Sequence, residues 1–200
     1  MIREAKFYCY RDMSGRELRF EPPVAGIQYF NADEGLIIAT NEQGDLTIGD
    51  SDGECWRLFT SCEDDPAHLR LASISDEYGN DLLLAYDAQK RLHQITDTAK
   101  TLAVSLRYDD PQLPKCVTQI VEYHHETNDS RCLVTYHYNA QGQVTEVIDA
   151  SGISTREYAY NDDHLLTQHR LPEGLTCHYQ WAKFDDWRAI DYQTSPILVP

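Results

Sequence analysis

The sequence predicts an all-β protein built from an array of antiparallel β-hairpins. Short β-rich runs alternate with turns of the form Asp/Asn-x-x-Gly, and the hairpin pattern returns with a period of about 22 residues. In such a turn the Asp or Asn side chain bonds the backbone two residues on, while glycine takes the positive φ that feeds a bulged hairpin. Six of the ten glycines stand in this arrangement: Asp12/Gly15, Asn41/Gly44, Asp50/Gly53, Asp76/Gly79, Asn139/Gly142 and Asp149/Gly152.

Composition limits the classes of partner. The 200 residues are 42% hydrophobic and carry Lys+Arg 17 against Asp+Glu 33, a formal net charge of −16. This potential repels a nucleic-acid backbone or an anionic membrane surface, so neither is an expected partner. Met1 to Lys6 show no signal-like apolar run, and no window reaches the roughly 18 continuous apolar residues of a membrane span, so membrane insertion is not expected.

The six cysteines are widely scattered and form no C-x-x-C pair. Zinc sites usually show close cysteine pairs, and disulfide frameworks are usual in shorter secreted chains. The sequence therefore predicts reduced, structural thiols at Cys9, Cys55, Cys62, Cys116, Cys132 and Cys177.

Two groups of strands precede the repeats. Residues 1–25 are predicted as a hairpin that turns at Asp12 to Gly15 and stops at Pro22-Pro23, because proline cannot join a central ladder. Residues 26–65 are predicted to contain a three-strand meander. Ser61 to Ala67 are mostly polar and are the expected joint to the next segment.

Residues 66–192 are predicted as the repeat array, followed by a tail at 193–200. Each copy is anchored on the aromatic residue that ends its first strand, with a second residue of the same strand face two places earlier. Further mostly apolar positions follow six and nine residues after the anchor. The anchors are Tyr86, Tyr138, Tyr160 and Trp181; the earlier positions are Leu84, Tyr136, Tyr158 and Tyr179; the later ones are Leu92, Val144, Leu166 and Trp187, then Ile95, Val147, His169 and Ile190.

A fifth copy begins at Tyr108. Its second strand fits the pattern only if about three residues are inserted around Asp110–Pro114, so that Val117 and Ile120 take the two apolar places. A period in the twenties with hairpin units predicts stacked repeats, each burying a face on its neighbours.

These residues resemble the YD repeat of RHS proteins. The resemblance lies in Tyr86 to Asp97 and in Tyr138 to Asp149, with Asp76 to Asn80 similar to the D-x-x-G-N entry to such arrays. Residues 31–59 are similar to the segment that leads into the repeats of bacterial Rhs toxins. The likeness covers roughly residues 30 to 190.

The resemblance implies an open, curved segment of an RHS-type β-shell, in which a long sheet encloses a C-terminal toxin that is delivered to competing bacteria, often by type VI secretion. The expected partners are the remainder of the shell or another β-edge partner, the toxin cargo and the secretion apparatus. The implied location is the bacterial cytoplasm before export, with secretion independent of a signal peptide. No YD-repeat residue is catalytic in that picture, so no catalytic, cofactor or metal residue is predicted.

The sequence departs from the family in three ways. Lys90 and Lys100 replace repeat glycines, at a cost on the order of 1 kcal/mol each in left-handed geometry. The self-cleavage segment that ends the shell is absent, since Asp109-Asp110-Pro111 lies within the array and lacks the glycine. We also expect no toxin domain within these 200 residues. We expect a fragment or a shortened relative, whose open strand edges favour self-association or a partner.

The segments that could hold a metal or a catalytic group are better explained as turns. Glu122 to Glu126, near Asp129 and His137, carries metal-capable side chains, but adjacent strand residues such as His124 and His125 point to opposite faces. Asp50 to Glu54 resembles the start of a calcium loop, yet its glycine comes too early. Gly152-Ile153-Ser154 is not a nucleophile elbow. The carboxylate pairs Asp64-Asp65, Asp162-Asp163 and Asp185-Asp186 fall in predicted turns.

Three function classes remain open. A structural shell segment is favoured by the register of the repeats. A carbohydrate- or protein-binding module of a cell-surface protein would use outward aromatics such as Tyr158 and Trp181. An enzyme is not expected, because no constellation of residues supports one.

Overall fold

The computed structural model describes residues 1–3, 7–62, 65–99 and 101–182, and within them it is built from β-strands. No helix in these residues has the length and hydropathy of a membrane span. The all-β prediction is confirmed. The strands are β1 (Ile2–Arg3), β2 (Tyr8–Arg11), β3 (Glu17–Phe20), β4 (Gln28–Asn31), β5 (Leu36–Thr40), β6 (Leu46–Asp50), β7 (Cys55–Cys62), β8 (Asp65–Asp76), β9 (Asp81–Tyr86), β10 (Leu92–Asp97), β11 (Leu102–Arg107), β12 (Gln119–His124), β13 (Asp129–Tyr138), β14 (Val144–Asp149), β15 (Ser154–Tyr160), β16 (Leu166–Arg170) and β17 (Thr176–His178).

The chain divides into two compact units. Unit 1 comprises Met1–Ala103 with His124–Thr127, and unit 2 comprises Val104–Tyr123 with the chain from Asn128 onward. The repeat positions Trp187 and Ile190 and the predicted tail at 193–200 lie outside the described residues.

Unit 1 contains a run of eight strands joined by antiparallel ladders. β4 pairs with β5, β5 with β6, β6 with β7 and β7 with β8. The first strand then continues the order, because β1 pairs with both β8 and β2, and β2 pairs with β3. β2 and β3 pair in the predicted hairpin, and β5, β6 and β7 pair as the predicted meander. The boundaries at residues 25 and 65 stay predictions, and β1 and β4 have no counterpart among the sequence-based predictions.

The core of unit 1 lies between strands that are not neighbours in this order. The ring of Tyr10 on β2 meets the ring of Phe59 on β7 edge-on, with 5.8 Å between centroids. Ile38, Leu46 and Ile48 are fully enclosed, and such burial stabilises by about 1.5–3 kcal/mol for each large apolar side chain. The apolar residues at alternate positions of β5 and β6 therefore lie on one face of the sheet, and that face is buried in the core of unit 1.

The segment predicted as a joint overlaps two paired strands of one sheet. Cys62 at the end of β7 pairs with Asp65 at the start of β8, and the ladder continues to the pair of Cys55 with Asp76. The described residues of this segment therefore belong to two strands of one sheet, Ser61 and Cys62 to β7 and Asp65 to Ala67 to β8. The polar composition and Pro66 suggested a linker, but a hairpin tip has the same composition because it is solvated.

Unit 2 is a thin sheet. β13, β14, β15, β16 and β17 pair antiparallel in chain order, as the repeat predicts. Val121 is the one apolar residue that is buried in the described part of this unit, and most strand residues are half-buried. A single layer of sheet cannot enclose both of its faces, so its stability depends strongly on turns and on contacts between neighbouring hairpins.

Candidate functional site

Each repeat turn is closed by the side chain of its first residue. Asn139 Oδ1 accepts hydrogen bonds from the backbone N–H groups of Gln141 at 3.1 Å and Gln143 at 3.0 Å. The N–H of Gly142, which has φ 77°, donates to the carbonyl of Asn139 at 3.0 Å. One Asn side chain thus satisfies two donors of the turn and fixes where the second strand begins.

The same side-chain cap recurs along the chain, and it perturbs the carboxyls that provide it. The Ser151 hydroxyl, followed by backbone N–H donors, lowers the pKa of Asp149 below its ordinary value. The Arg91 side chain has the leading effect in lowering the pKa of Asp87. Caps whose backbone donors lie two and four residues on are made by Asp12, Asp76, Asp87, Asn139, Asp149 and Asn161.

Two of these turns place a bulky residue in left-handed geometry. Lys90 has φ 67° and His164 has φ 63°, at the position that glycine holds in the other capped turns. The prediction for Lys90 is confirmed, and Lys100 lies outside the described residues. His164 was not predicted, although Asn161 to His164 stands at the same distance after Tyr160 as Asn139 to Gly142 after Tyr138.

A β-bulge explains the spacing of the apolar repeat positions. Tyr138 pairs with Val144 and Tyr136 with Val147, with a register shift between them. The same pairing and shift occur in the copies anchored on Tyr86 and Tyr160. Strand residues on one face are normally two apart, and a bulge adds one residue. The positions six and nine after the anchor therefore share a face although they are three residues apart.

The anchor aromatics tie each hairpin to an earlier strand or strand-entry segment. Tyr160 Oη donates to the carbonyl of Val144 at 2.9 Å, Tyr138 Oη to Val117 at 2.7 Å and Tyr86 Oη to Leu71 at 2.9 Å. Trp181 Nε1 makes the corresponding bond to Leu166 at 2.6 Å. Burial raises the pKa of the phenols of Tyr86, Tyr138 and Tyr160.

The bond to Val117 supports the alignment of the fifth copy. Val144 and Leu166 stand six places after their anchors, and each accepts the bond from the next anchor. Val117 accepts the same bond from Tyr138, so it occupies this position once the insertion at Asp110–Pro114 is allowed for. Sequence reasoning assigned the tyrosines to packing and missed this hydrogen bond, for which the fixed anchor spacing is the signal.

An aromatic stack and an ion pair lie across neighbouring strands of the unit 2 sheet. On one face Tyr158 stacks on His169, its cross-strand partner, with 5.0 Å between ring centroids and 9° between planes. On the other face Glu157 pairs with Arg170 through an ion pair of 2.9 Å, and Glu146 lies opposite Glu157. Cross-strand partners share a face, so the Tyr158–His169 stack and the Glu157–Arg170 ion pair lie on opposite faces of the sheet.

The candidate metal ligands are not assembled into a site. His124 ends β12, and His125 and Glu126 follow it as exposed residues of the connecting segment. Asp129 begins β13 and His137 lies on that strand. Among the described residues, no group of three or more His, Cys, Asp or Glu has the geometry to hold a metal ion. All six cysteines are free thiols.

The other described candidates lie in turns or at the ends of strands. Asp50 accepts the N–H of Gly53 through its carbonyl at 2.9 Å, and its carboxylate binds Arg57. Asp162 and Asp163 are exposed in the turn that ends at His164. Asp65 pairs with His68 at 2.8 Å. Asp64 and Asp185-Asp186 lie outside the described residues, and Ser154 begins β15.

A protein-family model and a toxin relative match parts of this chain. A protein-family model described as RHS Repeat matches residues 133–180. The chain is 29% identical over 190 residues to double-stranded DNA deaminase toxin A of Burkholderia cenocepacia (strain H111), covering 93% of this chain and 13% of that protein. The chain thus spans about an eighth of the length of this relative.

Solved structures of Tc toxin complexes are also similar. The crystal structure of TcdB2-TccC3-Cdc42 matches with 13% identity and a TM-score of 0.40, covering 88% of this chain and 11% of that one. A Photorhabdus luminescens Tc holotoxin pore matches with 12% identity and a TM-score of 0.40, with the same coverage.

Proposed function

We propose that this chain, which carries RHS repeats, is a wall segment of an RHS-type toxin shell that encloses a C-terminal toxin. The described residues then act mechanically, and the toxin activity resides in a separate segment. The anchor-to-carbonyl bond carries the proposal. It recurs at Tyr86, Tyr138, Tyr160 and Trp181 and couples each hairpin to the preceding part of the array.

The bonding pattern suits a wall better than a catalytic or binding surface. A hydrogen bond of this kind contributes about 0.5–1.5 kcal/mol, and its repetition adds stability without requiring a thick core. The family match over residues 133–180 and the toxin relative support the same role. Delivery to competing bacteria, with export that needs no signal peptide, completes the proposal.

The alternative, a carbohydrate- or protein-binding module, has less support. Tyr158 is stacked on His169, and the indole N–H of Trp181 is engaged with the carbonyl of Leu166. Both aromatics suggested for ligand binding therefore already make internal contacts. A glycan array probed with the chain and with Tyr158→Ala separates the two functions, because a wall segment shows no saturable binding that this change abolishes.

The shell function is tested on the native product. An antibody against residues 138–160 isolates the product from its source organism, and its intact mass and limited proteolysis are measured. A shell segment predicts a polypeptide several times larger than 23.0 kDa, with a protease-resistant segment that becomes sensitive once the wall is unfolded. A 23.0 kDa product, or cargo that is equally sensitive before and after unfolding, contradicts the proposal.

A further inference from the structure

The core face of the unit 1 sheet continues beyond its covered part. Cross-strand pairing places one row of residues on this face, across the six strands from β5 to β10: Ile38, Ile48, Arg57, Ile74, Leu82 and Asp97. Ile38 and Ile48 are fully enclosed, whereas Leu82, near the other end of the row, is 46% exposed. The described residues thus leave apolar surface of the core face open at β9.

A groove of about 460 Å³ lies at this open end of the row. Ile74 and Leu82, which are cross-strand partners, line it together with Cys55 and supply much of its apolar surface. Its volume is within the range of roughly 300–1,000 Å³ that is typical of ligand-binding pockets. The groove is therefore large enough for side chains of a partner.

Carboxylates surround the apolar part of this acidic groove. Four lining residues are acidic and none of the described lining residues is basic; the four are Glu54, Asp76, Asp81 and Asp97. Asp76 and Asp97 accept hydrogen bonds from neutral donors, the Asn80 amide at 2.7 Å and the Thr101 hydroxyl at 2.6 Å. These donors lower the pKa of both carboxyls, so both are ionised at neutral pH. Within the described residues, none of the four carboxylates makes an ion pair.

The cationic residues closest to the groove in the row and in the chain do not balance these charges. Arg57 lies in the same row, but its guanidinium binds both carboxylate oxygens of Asp50, at 3.0 and 3.3 Å. Lys100 follows Ala99 in the chain and lies outside the described residues, and the four carboxylates outnumber it. The acidic groove therefore has a negative potential that attracts a cationic group.

The chemistry of the lining selects an organic cation with an apolar body. Among the described residues, no group of three or more His, Cys, Asp or Glu has the geometry of a metal site. Carboxylates spread around Ile74 and Leu82 suit the charged head and apolar stem of lysine or arginine, next to an apolar side chain. A second copy of this chain does not suit the groove, because a formal net charge of −16 on each copy is repulsive.

We propose that the acidic groove binds a segment of another polypeptide in which leucine-like side chains are flanked by lysine or arginine. The apolar side chains contact Ile74 and Leu82, and the basic side chains pair with the carboxylates around them. The segment docks through its side chains, because β8 and β9 are already paired along both edges. This inference concerns unit 1 and does not depend on the shell function.

The test uses a seven-residue peptide with blocked ends, in which two leucines separated by a serine are flanked by lysines. Binding to the full chain is measured by isothermal titration calorimetry. One matched peptide has serine in place of both lysines, and another has serine in place of both leucines. The first pair of protein variants is Leu82→Thr and Leu83→Thr. Leu83 is 39% exposed on the same strand but lies on the opposite face.

A second pair of variants tests charge without changing a strand. Glu54→Gln removes one carboxylate of the acidic groove. Glu42→Gln is the control, because Glu42 is exposed in the β5–β6 turn and does not line the groove. All four side chains are exposed in the unmodified chain, and circular dichroism verifies that each variant keeps its β-sheet.

The proposal predicts saturable binding of the peptide that carries both leucine and lysine, and at least tenfold weaker binding of each matched peptide. Leu82→Thr weakens binding about fivefold or more, because apolar contact is lost, whereas Leu83→Thr changes it less than about twofold. Glu54→Gln weakens binding about threefold and Glu42→Gln leaves it unchanged. No saturable binding, equal effects within either pair of variants, or equal binding of a matched peptide overturns the proposal.

Sedimentation of the unmodified chain and of Leu82→Thr tests the competing occupant. The proposal predicts that the two sediment alike. A dimer of the unmodified chain that Leu82→Thr dissociates and Leu83→Thr does not would assign the acidic groove to a second copy, and would overturn the proposal.

Discussion

The Tyr160 phenol donates a 2.9 Å hydrogen bond to the main-chain carbonyl of Val144. Val144 opens the second strand of the preceding hairpin, where it also pairs with Tyr138. One tyrosine therefore connects two consecutive repeat units. The same relationship between Tyr138 and Val117 shows that the spacing of the anchors is a requirement of hydrogen bonding as well as of packing.

Removing the phenol oxygen at an anchor should destabilise the array. Tyr160→Phe leaves the Val144 carbonyl without this donor, and we expect the free energy of unfolding to fall by about 1–2 kcal/mol in urea denaturation. The matched control is Tyr158→Phe, which keeps the ring stacked on His169 and should change stability much less. Equal losses in the two variants would show that the bond to Val144 adds no stability.

Alkaline pH should weaken the same contacts. Burial raises the pKa of Tyr86, Tyr138 and Tyr160 above the ordinary 10.0. Unfolded tyrosines ionise first as pH rises. The stabilisation that these phenols contribute is therefore fully present below pH 10.0 and is lost as pH rises through their raised pKa in the folded state. Melting temperature measured across this range should fall less steeply in Tyr138→Phe/Tyr160→Phe. An unchanged slope in that variant would contradict the assignment.

The capped turns predict a loss of stability in acid. Hydrogen bonds from the Ser151 hydroxyl and from backbone N–H groups lower the pKa of Asp149 below 3.8. The unfolded carboxylate is protonated first as pH falls, so this stabilisation is present above pH 3.8 and disappears as pH falls through the lowered folded pKa.

Asn and Asp exchanges at equivalent caps check this prediction. Asp149→Asn keeps a side-chain oxygen for the turn but cannot ionise, so its melting temperature should vary less with pH in acid. Asn139→Asp should show the reverse, a steeper acid dependence, because its turn has the same two backbone donors. If neither exchange changes how the melting temperature depends on pH in acid, the prediction is wrong.

Most turns of this fold follow from the sequence, whereas the edges of unit 1 do not. The turns that begin at Asp149 and Asn139 are set by four consecutive residues, so they can be predicted without knowing how the rest of the chain folds. β4 is paired on one side and largely exposed, so its apolar and polar residues do not alternate as in a half-buried strand. Ile2 pairs with the nearby Cys9 and also with His68, and the second pairing depends on a contact between residues far apart in the chain.

The β-bulges could not be predicted from the sequence either, because the two-residue period of a regular strand places Val144 and Val147 on opposite faces. Only the observed register, with one extra residue between them, returns both to the face of Tyr136 and Tyr138. The anchor hydrogen bonds connect residues 15 or more apart, so a spacing pattern suggests them without identifying the acceptor.

Close packing at Gly49 gives a prediction for unit 1. A Cβ at this position would lie 2.5 Å from Cε3 of Trp56, its cross-strand partner. Gly49→Ala should therefore cost about 1–3 kcal/mol of unfolding free energy, because the indole must move and it donates to the Gly53 carbonyl. In a double-mutant cycle, Trp56→Leu should remove most of this cost, and an additive result would contradict the clash.

Glycine in place of His164, whose backbone is left-handed, should increase the stability of the protein. With φ 63°, His164→Gly relieves backbone strain, and we expect a gain of up to about 1 kcal/mol in chemical denaturation. His164→Ala removes the imidazole but retains the strain, so it should remain less stable than His164→Gly. Equal stability of these two variants would assign the effect to the side chain instead.

The most direct test of the shell function is electron cryo-microscopy of the native product isolated with the antibody against residues 138–160. The account predicts that the hairpins of residues 133–180 form part of a continuous β-wall around enclosed density, with Tyr160 against Val144 at the hairpin junction. A native particle in which these hairpins surround no enclosed volume, and both sheet faces contact solvent, would contradict it.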